Sequence, residues 1–157
     1  MESLAERLTE AQQRISAAAS GCGRQADDIN LIVVTKNHPT QLVFDLLDLG
    51  MRDFGENRDQ EAATKVGQLP ADINWHFQGG IQSNKLKSIT SWASVIHSLD
   101  EPRHFEVIEK VATHPLSIFL QVSLDGAHHR GGAGVDQLYQ LAEKVSASPT
   151  HTLAGLM

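Results

Sequence analysis

"LIVVTKNHPTQLVFDLLDLG", residues 31–50, holds a complete strand-and-helix unit, and its reading sets the fold. Leu31 to Val34 are aliphatic and mostly β-branched, the composition of a strand buried on both faces. The run predicts a strand over 31–36. Pro39 suits the first turn of a helix, where its missing N–H costs nothing. Leu42, Val43, Leu46 and Leu47 then recur at helical spacing until Gly50 stops the pattern. A buried strand followed at once by an amphipathic helix is the repeating unit of a parallel sheet.

The same strand poses a chemical question, because it ends on Thr35 and Lys36, where a buried sheet meets solvent. Long cationic side chains commonly cap such ends with the ammonium group in water. A lysine amine becomes a nucleophile for a carbonyl where partial desolvation or neighbouring cations favour its neutral form. The end of a buried strand would supply that desolvation, and Lys85 and Lys87 would add positive charge. For an isolated "VTK" the solvated strand end is the default reading.

Outward from this unit the alternation continues. Leu4, Leu8, Ala11, Ile15 and Ala18 form an opening helix that Gly21 and Gly23 terminate. Further strands are expected at 52–56, 74–79, 94–100, 116–124 and 151–157. Helices are expected from about Arg58 to Val66, through Leu86 and Ile89, from Pro102 through Val111, and through Leu138 to Val145. Six strands alternating with five helices, after the opening helix, predict an α/β protein with a parallel sheet. The sheet is either open and doubly wound or an arc of a barrel, and ligands collect at the carboxyl ends of the strands in both. No repeat, low-complexity segment or linker divides the chain, so one domain over 1–157 is expected.

Composition narrows the function classes. Of 157 residues, 41% are hydrophobic and 20% charged, the balance of an ordinary globular domain. A net charge of −6 argues against nucleic acid or an anionic membrane as the main partner. Cys22 stands alone, which precludes an intramolecular disulfide and suits a reducing cytoplasm. The acidic start "MESLAERLTE" lacks the pattern of a signal peptide, and no apolar run approaches a membrane span.

The expected strand ends read Thr35-Lys36, Gly55-Glu56-Asn57, Gln78-Gly79-Gly80, Ser98-Leu99-Asp100 and Leu124-Asp125-Gly126. Polar groups above an apolar floor have the general form of a small-molecule site, although strand ends are also simply where solvent begins. Asn57 suits either a hydrogen bond to a ligand or a helix cap. In "WHFQGGIQSNK" (75–85), His76 lies within a strand, Gly79-Gly80 permits close backbone approach, and Ser83, Asn84 and Lys85 start a helix. That set would suit an anion or cofactor, or an ordinarily capped αβ junction. The loop "RGGAG" (130–134) matches no phosphate-binding fingerprint and reads as flexible. Eight histidines show no metal-ligand spacing: His128-His129 reads as loop surface and His97 as a hydrogen-bonded core residue. Ser98 and Ser123 lack the surroundings of a nucleophile, and no metal site or catalytic residue is assigned.

Taken in order, "VTK" with Pro39, "FGENRDQE", "WHFQGGIQSNK", "IHSLD", "LQVSLDG" and "LAGLM" resemble the YggS/PROSC family of pyridoxal 5′-phosphate (PLP) homeostasis proteins. The resemblance runs from the opening helix to the last residue. It implies a PLP-binding (β/α)₈ TIM-type barrel related to the alanine racemase barrel domain, of which this chain covers about the first six βα units. It further implies that PLP is held as a Schiff base on Lys36, with Asn57, His76, Gly79, Ser83 and Asn84 around the cofactor. The implied role is carrying, buffering or delivering PLP, with PLP-dependent apo-enzymes as recipients and no established turnover. A racemase would need a second acid/base, and the single tyrosine, Tyr139, falls on an expected helix. Gln78-Gly79-Gly80 and the glycine-rich "DGAHHRGGAG" depart from the family pattern. Complete barrels take about 250 residues, and their phosphate sites commonly follow the seventh and eighth strands. A C-terminally truncated member is therefore expected, lacking those phosphate loops, exposing its first and sixth strands as edges, and binding PLP more weakly than a full-length relative.

Overall fold

The computed structural model describes residues 2–126 and 130–157, so His128 and His129 fall outside the described residues. The opening helix α1 spans Leu4–Gly21 and begins with a reciprocal cap. Ser3 Oγ accepts the Glu6 N–H at 3.2 Å, and the Glu6 carboxylate accepts the Ser3 N–H at 2.7 Å.

Strand and helix then alternate as the hydrophobic pattern dictates: β1 (Val33–Val34), α2 (Thr40–Asp48), β2 (Asp53–Glu56), α3 (Asp59–Val66), β3 (Asn74–Phe77), α4 (Leu86–Trp92), β4 (Val95–Leu99), α5 (Pro102–Val111), β5 (Ser117–Leu120), α6 (Val135–Ser146) and β6 (Thr152–Leu156). Single 3₁₀ turns at Ala26–Asp28 and Ser83–Lys85 were not legible in the pattern. All strands pair in parallel, in the order β1-β2-β3-β4-β5-β6. A doubly wound sheet reverses its order at a switch point. This sheet never does, which selects the arc of a barrel.

One face of the arc carries Phe54, Trp75, Phe77, Ile96, Ile118 and Leu120 into a core completed by the helices. Val43 and Leu46 of α2, Leu86 and Ile89 of α4, Phe105 and Ile108 of α5, and Leu141 and Val145 of α6 join that core. The alternate residues lie on the opposite face, where Val34 is in register with Gly55, and Gly55 with His76.

Four expectations need correction. The strand predicted at 31–36 is paired only at Val33–Val34; with β6 it forms an edge of the sheet, as expected of the first and sixth strands, and Val34 is 44% exposed. A β-branched run records strand propensity but not whether neighbours flank it on both sides. Pro39 precedes the first turn of α2, with ψ 155, and does not sit inside it. The strand predicted to run to Leu124 ends at Leu120, and Leu124 is fully in solvent. The "RGGAG" segment, read as a free loop, is partly tied to the sheet instead. Ala133 is buried and bridges Val122, its N–H donating to the Gln121 carbonyl at 2.8 Å.

Candidate functional site

Lys36 follows the carboxyl end of β1 and is exposed. Of the two readings of this lysine, desolvated by a buried strand or solvated at a strand end, the structure shows the solvated one. No hydrogen bond or ion pair holds the Lys36 amine among the described residues. Its backbone is fixed instead. Immediately before it, the Thr35 N–H donates to the Gly55 carbonyl at 3.0 Å, extending the ladder by one bond. Immediately after it, Asn37 takes a left-handed conformation (φ 62), which asparagine tolerates better than most residues.

Behind that turn lies a buried charge cluster. Lys65 of α3 is 4% exposed, and Glu56 at the end of β2 is fully buried. The Lys65 Nζ donates to Glu56 Oε1 at 2.7 Å, to Glu61 Oε1 at 2.8 Å and to the Thr35 carbonyl at 2.7 Å. The hydrogen bond from Lys65 holds the Glu61 carboxyl below the usual carboxylate range, helped by the Asn37 N–H and opposed by burial. Sequence reasoning singled out Glu56 and missed Lys65. The only signal was Glu61 four residues before Lys65, a spacing that ordinarily marks a solvated helix pair.

Asn57 follows Glu56, and its Oδ1 is buried without a hydrogen-bond partner. Arg58, not Asn57, occupies the cap position of α3, and no side chain caps that helix. Asn57 lines a cleft of about 370 Å³ with Arg58, Phe77, Gly80, Gln82 and Lys85. Lys36 is not among the cleft's lining residues.

Gly79 lies directly under Asn57. A Cβ at position 79 would come within 2.3 Å of the Asn57 carbonyl oxygen and 2.9 Å of the Phe77 ring. The Gly79 carbonyl also accepts a short hydrogen bond from Ser98 Oγ. Gly79→Ala is therefore expected to cost about 1–3 kcal/mol in urea unfolding, as overpacking does. Gly80→Ala is the control, since nothing lies within 4 Å of a Cβ there. Equal stability of the two variants would contradict the close approach of the β2 and β3 ends.

The remaining sequence candidates separate. His76 is buried within β3, and both ring nitrogens are engaged: Nδ1 with His97 Nε2 at 2.8 Å, Nε2 with Asp53 Oδ1 at 3.0 Å. It therefore belongs to an interior polar chain rather than to the strand-end rim. His97 is the core residue expected, stacked on Phe119 with ring centroids 4.7 Å apart. Ser83 and Asn84 are exposed on the 3₁₀ turn before α4, beside Lys85. Asp100, Glu101 and His104 converge at the start of α5, an arrangement unread in the sequence. There Arg103 pairs with Glu101, and the Gly132 N–H binds Asp100 Oδ2 at 3.0 Å, so both carboxylates are already engaged.

No protein-family model matches the chain. Individual relatives do. Pyridoxal phosphate homeostasis proteins of Pseudomonas aeruginosa and Corynebacterium glutamicum are 36% and 37% identical, over 100% and 93% of this chain and 70% of each relative. The Escherichia coli K12 protein of the same name is 30% identical over the whole chain. Among solved structures, PipY of Synechococcus elongatus without PLP superposes with a TM-score of 0.85 at 29% identity, covering 99% of this chain and 70% of PipY. PipY with PLP bound superposes with a TM-score of 0.75 at 31% identity, covering 91% of this chain and 69% of PipY. The chain thus spans about 70% of the length of these relatives. With a sheet of uninterrupted order, an exposed lysine at the end of β1 and relatives of this identity along its whole length, the chain belongs to the family of pyridoxal phosphate homeostasis proteins.

Proposed function

We propose that this chain binds PLP, carries it as a Schiff base on Lys36, and serves PLP homeostasis in the cytoplasm as a carrier without turnover. PLP-dependent apo-enzymes are the proposed recipients. The observation that carries the reading is the exposed, unengaged amine of Lys36 at the carboxyl end of β1, in a fold shared with PLP-bound PipY. The donor set fits an aldehyde cofactor: a primary amine for its carbonyl, and on the adjacent strand end Asn57, whose buried Oδ1 lacks a partner. When bound, PLP supplies an electron sink; the protein supplies attachment and orientation. His76, Gly79 and the exposed Ser83 and Asn84 complete the proposed surroundings. Among the described residues no helix is long and apolar enough to cross a membrane.

Nothing favours the racemase reading. Tyr139 lies on α6, 70% exposed, in an apolar groove with Leu138, Leu153 and Leu156.

The test is incubation with PLP, borohydride reduction and peptide mapping. The expected result is one dominant adduct on Lys36, abolished in Lys36→Ala. An adduct spread over surface lysines, unchanged by that substitution, would overturn the assignment.

A further inference from the structure

We infer that Glu61 and Lys65 of α3, with Glu56 of β2, form a backbone clamp that positions Lys36 for reaction with the cofactor aldehyde. The inference rests on the reading of Lys36 as the attachment point and adds residues that no resemblance assigned.

The observation is that both neighbours of Lys36 are bound to one buried cluster, while its own side chain is left out of it. On the preceding side, the Thr35 carbonyl accepts from Lys65 Nζ at 2.7 Å, and Thr35 Oγ1 donates to Glu56 Oε1 at 2.8 Å. On the following side, the Asn37 N–H donates to Glu61 Oε1 at 2.6 Å, and Asn37 Oδ1 accepts from Arg58 Nη1 at 3.4 Å. Lys65 closes the loop by binding both Glu56 Oε1 and Glu61 Oε1. Its ammonium has three protons, and all three are used on this turn.

β1 pairs with β2 over two residues. A ladder that short frays readily, and the left-handed turn at Asn37 would open with it. The cluster supplements it: α3, packed on the core through Ala62, grips the chain on either side of Lys36. The amine stays mobile while its Cα is fixed, which is the arrangement a tethering nucleophile requires.

The step served is reversible and balanced. The free amine of Lys36 adds to the aldehyde carbon, a carbon–nitrogen double bond forms, and the carbonyl oxygen leaves as water with two protons from nitrogen. No oxidant or reductant takes part.

The test compares the parent chain with Glu61→Ala and Glu61→Gln, using PLP as the probe. Glu61 is partly exposed, so its replacement spares the core that Lys65 and Glu56 occupy. Three readouts are taken without denaturant: the initial rate of borohydride-trapped adduct on Lys36, hydrogen exchange of the Asn37 amide, and trypsin cleavage after Lys36. Glu61→Ala is expected to slow adduct formation about tenfold, within the range that misplacement of a reacting group causes. The Asn37 amide should exchange faster, and cleavage after Lys36 should rise. Glu61→Gln keeps an oxygen for the Asn37 N–H and should restore most of the rate. A Glu61→Ala chain that labels Lys36 at the parental rate, with its Asn37 amide deprotected, overturns the clamp and leaves the attachment reading intact. A parent chain in which Lys36 takes no adduct overturns the attachment reading instead.

Discussion

Lys65→Met is expected to lower the unfolding free energy by about 3–5 kcal/mol, the cost of removing one partner from a buried ion pair. Lys65 and Glu56 are both inside the protein, at side-chain exposures of 5% and 0%. Methionine keeps the length and apolar stem of lysine but supplies no donor. Glu56 would then retain only the Thr35 hydroxyl, since its Oε2 already lacks a partner. The Thr35 carbonyl would lose the Lys65 ammonium as well. The argument turns on the stranded carboxylate rather than on the value of the pair itself. Adding Glu56→Gln to Lys65→Met should therefore recover much of the loss, because a neutral amide can still accept from Thr35 Oγ1 and carries no buried charge. Urea unfolding of the parent, the single and the double variant gives the comparison. A single variant within about 1 kcal/mol of the parent, or a double variant no better than the single, would show that the cluster is hydrated or loosely held.

The same cluster shows where sequence reading reaches its limit. Apolar spacing placed four of the helices, because each buries one stripe on the sheet: Leu42 to Leu47, Leu86 with Ile89, Phe105 with Ile108, Leu138 to Val145. The alternation of strand and helix likewise left two topologies, and strand order chose between them. Lys36 was legible because it follows an aliphatic run and because its companion motifs fall in family order. Its exposure was one of two readings, beside a desolvated end of a buried strand. "LIVV" carries the propensity for a buried strand, but whether a second neighbour covers it depends on the rest of the sheet. Lys65 was hidden for a different reason. Glu61 and Lys65 read as a solvated helix pair, and only the packing of α3 over the end of β2 drives the ammonium inward. His76 was legible as a strand residue, and it lies within β3; its contacts with Asp53 and His97 are set by register across three strands, which spacing along the chain does not encode. Asn57 was legible as a strand-end polar residue, and the structure disfavours the capping alternative because no side chain caps α3.

Acidification should weaken the fold well before its carboxylates titrate, and His97 is the main cause. Burial, and secondarily the charge on His76, pushes the His97 imidazole down to about 4. Its ring is stacked on Phe119 and hydrogen-bonded to His76, whose far nitrogen reaches Asp53. The His76 Nδ1–His97 Nε2 contact holds a single proton, given by one ring and accepted by the other. Protonating His97 puts a cation against Phe119 and beside His76 in an interior with little water. A histidine depressed in the folded state binds its proton more readily once unfolded, so stability is whole above about 6.5, the unfolded value. It is lost as pH falls through 6.5 toward 4, by on the order of 3 kcal/mol across the whole window. His151 is lowered in the same sense, chiefly by burial, and adds to the slope. Glu61 has the same sign but acts lower, below its ordinary value of 4.5, where its contacts with Lys65 and Asn37 are lost. The two ranges can be told apart. His97→Gln keeps an N–H to offer His76 but cannot titrate, so its urea midpoints should vary much less than the parent's between pH 6.5 and 4.5. Once pH is below about 4, where His97 is protonated in both states, the two chains should fall in parallel as Glu61 protonates. Parallel curves across the upper range instead would mean that water reaches the His76–His97 pair and that the interior face is wetter than its packing implies.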